Sequence, residues 1–316
     1  MSPFAIAKAQ PIDPAKFRHP DFTADLEPRA RVELAGLRTL WFNTGTLCNL
    51  ACKTCYIESS PTNDALAYLQ LDEVRAYLDE IARDTLPVKE IGFTGGEPFM
   101  NRDVPAMLAL CLERGFDVLV LTNAMRPMRR FERDLLALRH RHRLTFRVSL
   151  DHYTPAIHEA ERGAGTWEKA IDGLRWLAGK GFGVSVAGRQ LGDETAAAAR
   201  QGYARLFADL GLVIPSKDQG RLVLFPEMDD SADVPEITTA CWGVLDVDPG
   251  SIMCSSSRMI VKRRNEAGPR VVACTLLPYD PRFDMGATLA DASGPVMLNH
   301  PHCARFCVLG GANCAA

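Results

Sequence analysis

Thr46-Leu-Cys-Asn-Leu-Ala-Cys-Lys-Thr-Cys-Tyr56 sets three cysteines, Cys48, Cys52 and Cys55, in one short loop with Cys-x3-Cys-x2-Cys spacing. Thiolates this close can converge on one soft metal centre, yet they supply only three ligands. A structural zinc takes four protein ligands, and iron–sulfur cubes are commonly held by four cysteines. A three-ligand site leaves one metal position open, and an open position is where chemistry occurs.

Outward from the loop, strand-like and helix-like segments alternate. Thr39-Leu-Trp-Phe-Asn43 reads as a buried strand leading into it. Leu71, Val74, Leu78 and Ile81 recur at helical spacing. Lys89 to Phe93 reads as a second strand. A helix through Val104, Met107, Leu108, Cys111 and Leu112 stops at Gly115, with Cys111 at a core position. Asp117–Thr122 and Thr145–Leu150 are the third and fourth strands, joined by an Arg-rich helix. That stretch, Met125–Arg143, reads as a solvated face. A helix from Trp167 to Lys180 ends at Gly181. Phe182–Val186 and Arg221–Phe225 are the fifth and sixth strands, with a helix from Thr195 to Leu210 between them. Six βα repeats with apolar strands predict an α/β fold, a partial (β/α)6 TIM-like barrel over residues 38–230. Residues 1–37, with prolines at 3, 11, 14, 20 and 28, predict an irregular N-terminal arm. Past residue 230 the alternation fails. Six of the ten cysteines fall in residues 241–316, so 231–316 reads as a small cysteine-rich domain.

Composition narrows the class. Apolar residues are 47% and charged residues 24%, as in a soluble globular protein. A formal net charge of -3 argues against a general nucleic-acid or membrane-surface binder. Apolar runs such as Asp117-Val-Leu-Val-Leu121 are too short to cross a bilayer. Met1 to Pro11 lacks the basic start and apolar run of a signal peptide. A cytoplasmic location is therefore expected, where cysteines serve as metal ligands more readily than as disulfides.

In parallel α/β folds, reactive residues gather at the C-terminal ends of the strands. The tricysteine loop follows the first strand, Thr94-Gly-Gly-Glu-Pro98 the second and Thr122-Asn-Ala124 the third, while Ser149-Leu-Asp151 closes the fourth. These motifs, in this order, resemble the radical S-adenosylmethionine (radical SAM) enzymes over residues 38–230. The resemblance implies that Cys48, Cys52 and Cys55 hold a [4Fe-4S] cluster whose fourth iron binds the amine and carboxylate of SAM. An electron from a reductant such as flavodoxin or ferredoxin would then cleave SAM to methionine and a 5′-deoxyadenosyl radical, which takes hydrogen from substrate. Gly95, Gly96 and Glu97 would line the methionine end, with Glu97 pairing to its ammonium. Ser149 and Asp151 would face the ribose or the carboxylate, and Tyr56 would stack near the adenine. The stretch Asp151-His-Tyr-Thr-Pro-Ala-Ile-His-Glu-Ala-Glu-Arg-Gly-Ala-Gly-Thr-Trp167 is similar to the peptide-modifying branch, where Arg162 would hold the SAM carboxylate. Two departures stand out: Ala124 and His152 occupy positions where the family often has glycine. Taken alone, the residues also allow a zinc loop, a simple Gly-Gly-Glu-Pro turn, a helix cap at Ser149 and Asp151, and a surface ion pair at Arg162.

The C-terminal set comprises Cys241, Cys254, Cys274 and Cys303-Ala-Arg-Phe-Cys307-Val-Leu-Gly-Gly-Ala-Asn-Cys314. It resembles the SPASM and twitch extensions that carry auxiliary [4Fe-4S] clusters, though its terminal pattern is less dense. The expectation is one SPASM-like auxiliary cluster on Cys254, Cys274, Cys303 and Cys307, with Cys241 and Cys314 as substitutes and a structural zinc as the alternative. Such a cluster would take an electron from substrate or ligate it. The chain thus reads as a radical SAM enzyme of the oxidoreductase or maturase type, acting on a peptide or a small molecule. The 37-residue arm is too short for a leader-binding domain, which leaves open a separate peptide-recognition protein as partner or a small-molecule substrate. The competing reading is a non-catalytic iron–sulfur carrier or zinc-stabilised binding module on the same barrel.

Overall fold

In the computed structural model, residues 11–192, 194–226 and 231–311 are described. The six expected strands are all present: β1 Thr39–Asn43, β2 Glu90–Thr94, β3 Asp117–Thr122, β4 Leu144–Ser149, β5 Gly183–Arg189 and β6 Leu222–Phe225. Each lies parallel to its sequence neighbour, so the partial barrel is as read. Leu40, Trp41 and Phe42 are all buried, as expected for strands covered on both faces.

The sheet does not stop at six strands. β7, Ser257–Val261, lies parallel to β1 with Thr39 opposite Ser257. β8, Arg270–Val272, runs antiparallel to β7. The eight-strand order is β6-β5-β4-β3-β2-β1-β7-β8. The sheet thus continues across residue 230, and the C-terminal segment is partly a continuation of it.

Five longer helices pack on the outside: α1 Leu71–Arg83, α2 Val104–Glu113, α3 Pro155–Arg162, α4 Trp167–Gly179 and α5 Ala196–Asp209. α1 shows why. Val74, Tyr77, Leu78 and Ile81 make one buried stripe, Gln70 and Glu73 form a capping box, and Asp72 and Glu73 sit at the positive end of the helix dipole. The Arg-rich connection is not one helix. It breaks into Arg126–Arg129, Glu132–Ala137 and a 3-10 turn at Arg141–Arg143, where His140 is left-handed (φ 56°). Its arginines find local partners, among them Asp172 for Arg129 and Asp117 for Arg143.

The N-terminal arm is mostly irregular but tied down. Arg31–Val32 pairs with Val296–Met297. The buried Glu236 carboxylate accepts from the Arg29 guanidinium at 2.5 Å and from the backbone N–H groups of Phe17 and Ala24 at 2.6 Å each. Arm and C-terminal segment share a second apolar core with one face of the sheet, including Phe17, Val32, Trp41, Ile252, Met259 and Phe306.

Candidate functional site

The chain leaves β1 at Asn43, whose Oδ1 accepts from Gly45 N–H at 3.0 Å. The loop that follows is pressed against the turn after β2. Gly96 N–H donates to Gly45 O (2.8 Å) and Glu97 N–H to Leu47 O (3.2 Å). Contact this close leaves no room for side chains. A Cβ on Gly95, itself at φ 139°, would lie 2.5 Å from Gly45 O, and one on Gly96 would lie 2.4 Å from Leu47 O.

Cys48, Cys52 and Cys55 open onto a cavity at the C-terminal ends of the strands. Tyr56, Gly95, Gly96, Ser149, Asp151 and Arg162 line the same cavity. The donor set suits a three-ligand soft-metal site. All three thiols are free, and no fourth cysteine lines the cavity among the described residues. Two sulfurs accept backbone hydrogen bonds, Cys48 from Leu50 N–H (3.4 Å) and Cys55 from Ser59 N–H (3.3 Å). Burial pushes the Cys48 thiol up to about 12, so it is protonated until a metal displaces the proton. The thiols face one space without closing into a cage: among the described residues, no three Cys, His, Asp or Glu side chains are gathered tightly enough for a metal ion.

Glu97 is turned toward the end of β3. It is 1% exposed and does not line the cavity. Thr122 Oγ1 donates to its Oε1 and Asn123 N–H to its Oε2, both at 2.8 Å, and Phe99 N–H adds a third bond at 3.4 Å. Its carboxylate is therefore engaged by the end of β3. Burial, opposed by these bonds, lifts its carboxyl to about 7. Asn123 extends the tie, donating from Nδ2 to Asn49 Oδ1 (2.9 Å) inside the tricysteine loop. Ala124, the departure from the family's glycine, is left-handed at φ 58°, which accounts for a glycine preference there.

Arg162 is delivered by the last turn of α3, which stops at Gly163 (φ 101°). This end docks on the tricysteine loop through Lys53 N–H to Glu161 O (2.9 Å) and Thr54 Oγ1 to Glu161 Oε2 (2.8 Å). Arg162 is not a surface ion pair. It reaches Asp151 at 2.8 and 3.0 Å, with side chains only 13% and 4% exposed. Asp151 and Ser149 do not cap α3 either, since Thr154 precedes that helix. Burial pushes the Asp151 carboxyl up, but Arg162 and Arg189 overrule it and hold it below the usual carboxylate range.

Arg189, at the end of β5, was missed from sequence because that strand was read as ending at Val186. It lines the cavity, donates from Nη2 to Thr54 O (2.8 Å) and lies 3.5 Å from Asp151. Its buried Nη1 has no hydrogen-bond partner among the described residues. Its place at a strand end was the available signal.

The C-terminal segment closes the cavity. Leu276 and Phe306 line it, with Phe306 against Phe225 (ring centroids 5.3 Å apart). Tyr279 OH donates to Ile57 O (2.9 Å). Of the expected second ligand set, Cys254 and Cys303 are buried, and among the described residues no three of these cysteines are gathered tightly enough for a metal ion. Burial, with the charges of Cys274 and Cys254, pushes the Cys303 thiol well up. Cys307 is on the same π-helix as Cys303, Cys303–Leu309. Cys241 begins a short helix, where its sulfur accepts from Thr238 N–H (3.4 Å). Cys314 lies outside the described residues. Cys111 is fully buried in α2, as expected. No helix among the described residues is long and apolar enough to cross a membrane.

Residues 42–194 match the model of the Radical SAM superfamily. This part of the chain is similar to radical SAM domains. The family implies a [4Fe-4S] cluster and SAM. The chain is 30% identical over 141 residues to the antilisterial bacteriocin subtilosin biosynthesis protein AlbA of Bacillus subtilis, covering 44% of this chain and 30% of that protein. It is 29% identical over 141 residues to the mycofactocin maturase MftC of Mycobacterium tuberculosis, covering 44% and 34%. The chain thus spans about a third of the length of these curated relatives. The fold likeness extends beyond these residues. Streptococcus suis SuiB bound to S-adenosylmethionine superposes with a TM-score of 0.58 at 10% identity, over 81% of this chain and 64% of SuiB.

Proposed function

We propose that the protein is a radical SAM enzyme in which Cys48, Cys52 and Cys55 hold the [4Fe-4S] cluster and the adjoining cavity takes SAM. The reading rests on one observation: three free thiols, and no fourth cysteine among the described residues, open onto a cavity whose rim carries glycine backbone and two guanidiniums. When bound, the cluster and SAM supply a 5′-deoxyadenosyl radical that removes hydrogen from substrate. The chain's own residues prepare that event. Gly95 and Gly96 bring backbone close to the ligand. Arg162, braced by Asp151, and Arg189 offer positive charge to a carboxylate. Ser149 and Tyr56 line the remaining wall, while Leu121, Ala187, Phe225, Leu276 and Phe306 supply apolar surface that excludes water from a radical.

The substrate is a peptide or a small molecule, and the peptide reading is favoured by relatives named for bacteriocin biosynthesis and mycofactocin maturation. A flavodoxin or ferredoxin would supply the electron, and a separate protein would present a peptide. Cys254, Cys274 and Cys303, with Cys307 or a substitute, would hold a second [4Fe-4S] cluster serving substrate oxidation or binding. The test is 5′-deoxyadenosine formation from SAM and dithionite by anaerobically reconstituted protein. Product that persists after replacing Cys48, Cys52 and Cys55 by Ala sinks the assignment. For the second cluster, four irons per chain with more than one zinc would point to a structural zinc instead.

A further inference from the structure

Arg189 closes β5 and is 9% exposed. It is held from two sides. Its backbone N–H donates to Asp151 O (2.9 Å), and its Nη2 donates to Thr54 O (2.8 Å), between Cys52 and Cys55 in sequence. Its Nη1 is buried and has no hydrogen-bond partner among the described residues, while the side chain lines the cavity. A buried guanidinium N–H without an acceptor is costly. A scaffold that fixes it in this state keeps a place for a ligand atom.

The two cavity arginines differ. Arg162 faces Asp151 at two points: Nη2 donates to Oδ1 (3.0 Å), and Nε lies 2.8 Å from Oδ2 without the alignment of a hydrogen bond. Arg189 Nε meets the same carboxylate only at 3.5 Å. Among the described residues that line the cavity, Asp151 is the one carboxylate and Arg162 and Arg189 are the two guanidiniums. Asp151 therefore neutralises Arg162, and one positive charge is left over at Arg189. A charge held in so little water calls for an anion.

We propose that Arg189, through Nη1, takes the carboxylate of SAM in this cavity, and that Arg162 is a positioning residue that holds Asp151 and the end of α3. The inference rests on the reading of the cavity as a SAM site, and it moves to Arg189 the carboxylate contact that the resemblance gives to Arg162. A planar guanidinium with one nitrogen fixed to Thr54 and another open meets a carboxylate at little cost in side-chain order. Arg162 acts at one remove. Its neighbour Glu161 ties α3 to Lys53 and Thr54, the loop segment that Arg189 also grips.

The test is calorimetric titration of the anaerobically reconstituted full chain with SAM and with decarboxylated SAM, which lacks only the carboxylate, with iron per chain counted in each variant. The parent is expected to prefer SAM. R189M is expected to shrink that preference roughly 30-fold, with affinity for decarboxylated SAM close to the parent's. R162M is expected to melt at a lower temperature, because Asp151 loses its partner, while keeping most of the preference. A preference unchanged in R189M overturns the assignment. Equal weakening of both ligands in R189M also overturns it, by giving Arg189 a purely structural role at Thr54. A preference lost in R162M and kept in R189M returns the carboxylate to Arg162. A parent that binds no SAM overturns the cavity reading itself and this inference with it. If either variant fails to fold or to hold iron, R189K and R162K are compared instead. Each keeps the charge but not the planar fork, so the larger loss of preference belongs to R189K, and a loss in R162K at least as large overturns the assignment.

Discussion

The two cysteine sets are assembled by opposite means. Cys48, Cys52 and Cys55 lie within eight residues of sequence, on a loop clamped from behind by Gly95 and Gly96 and tied sideways to β3 and α3. Cys254, Cys274 and Cys303 stand 20 and 29 residues apart in sequence, on either side of the β7–β8 hairpin and on the π-helix. The first set faces a cavity bearing two guanidiniums braced by a carboxylate, and Cys254 and Cys303 of the second are buried in the apolar core shared with the N-terminal arm. A local motif thus places its thiols on one cavity, whereas the second set depends on contacts distant in sequence.

Perturbing one set alone tests that contrast. The largest effect is expected from joint replacement of Cys48, Cys52 and Cys55 by Ala, which should abolish 5′-deoxyadenosine formation while iron bound by the second set persists. Next is Glu97→Gln, read as the difference in unfolding free energy from the parent across pH. The Glu97 carboxyl is raised from its ordinary 4.5 to about 7. The folded state therefore holds the extra proton between these values, and the Glu97 contribution to stability falls as pH rises through the window, by roughly 3 kcal/mol. His158, lowered by burial from 6.5 to about 4, works in the opposite direction, so the difference curve is needed. Because Glu97 does not line the cavity, SAM affinity measured by calorimetry should barely change. A large loss of affinity would restore Glu97 as a ligand contact.

Gly96→Ala follows. Its Cβ must displace the backbone at Leu47, and the resulting shift of the tricysteine loop should slow SAM cleavage roughly 10²-fold, about 2.7 kcal/mol. The second-set iron count should not move. Smallest is Ala124→Gly. Relief of a left-handed alanine is offset by a freer unfolded chain and a lost buried methyl, so thermal unfolding should shift by less than about 1 kcal/mol.

What was legible from sequence was local. Apolar strand runs, the helical spacing of Leu71 to Ile81 and the glycine stops gave the six βα units. The rule that chemistry gathers at strand ends then brought Cys48, Gly95 and Ser149 to one place, and the family resemblance added Arg162. What escaped depends on contacts distant in sequence. The bonds of Glu97 to Thr122 and Asn123, one strand further on, were not legible. Arg189 was hidden by reading β5 too short. The β7–β8 extension could not be foreseen, because pairing Ser257 with Thr39 is a choice of sheet edge that periodicity does not encode.

That pairing limits how the chain can be divided. A fragment cut at residue 230 would strip β7 from β1 and leave the N–H and C=O row of Leu40, Trp41 and Phe42 as a bare, apolar sheet border. Exposed borders of this kind recruit other chains. The barrel alone, expressed as a minimal catalytic piece, should therefore self-associate, with the missing hairpin replaced by a neighbouring molecule.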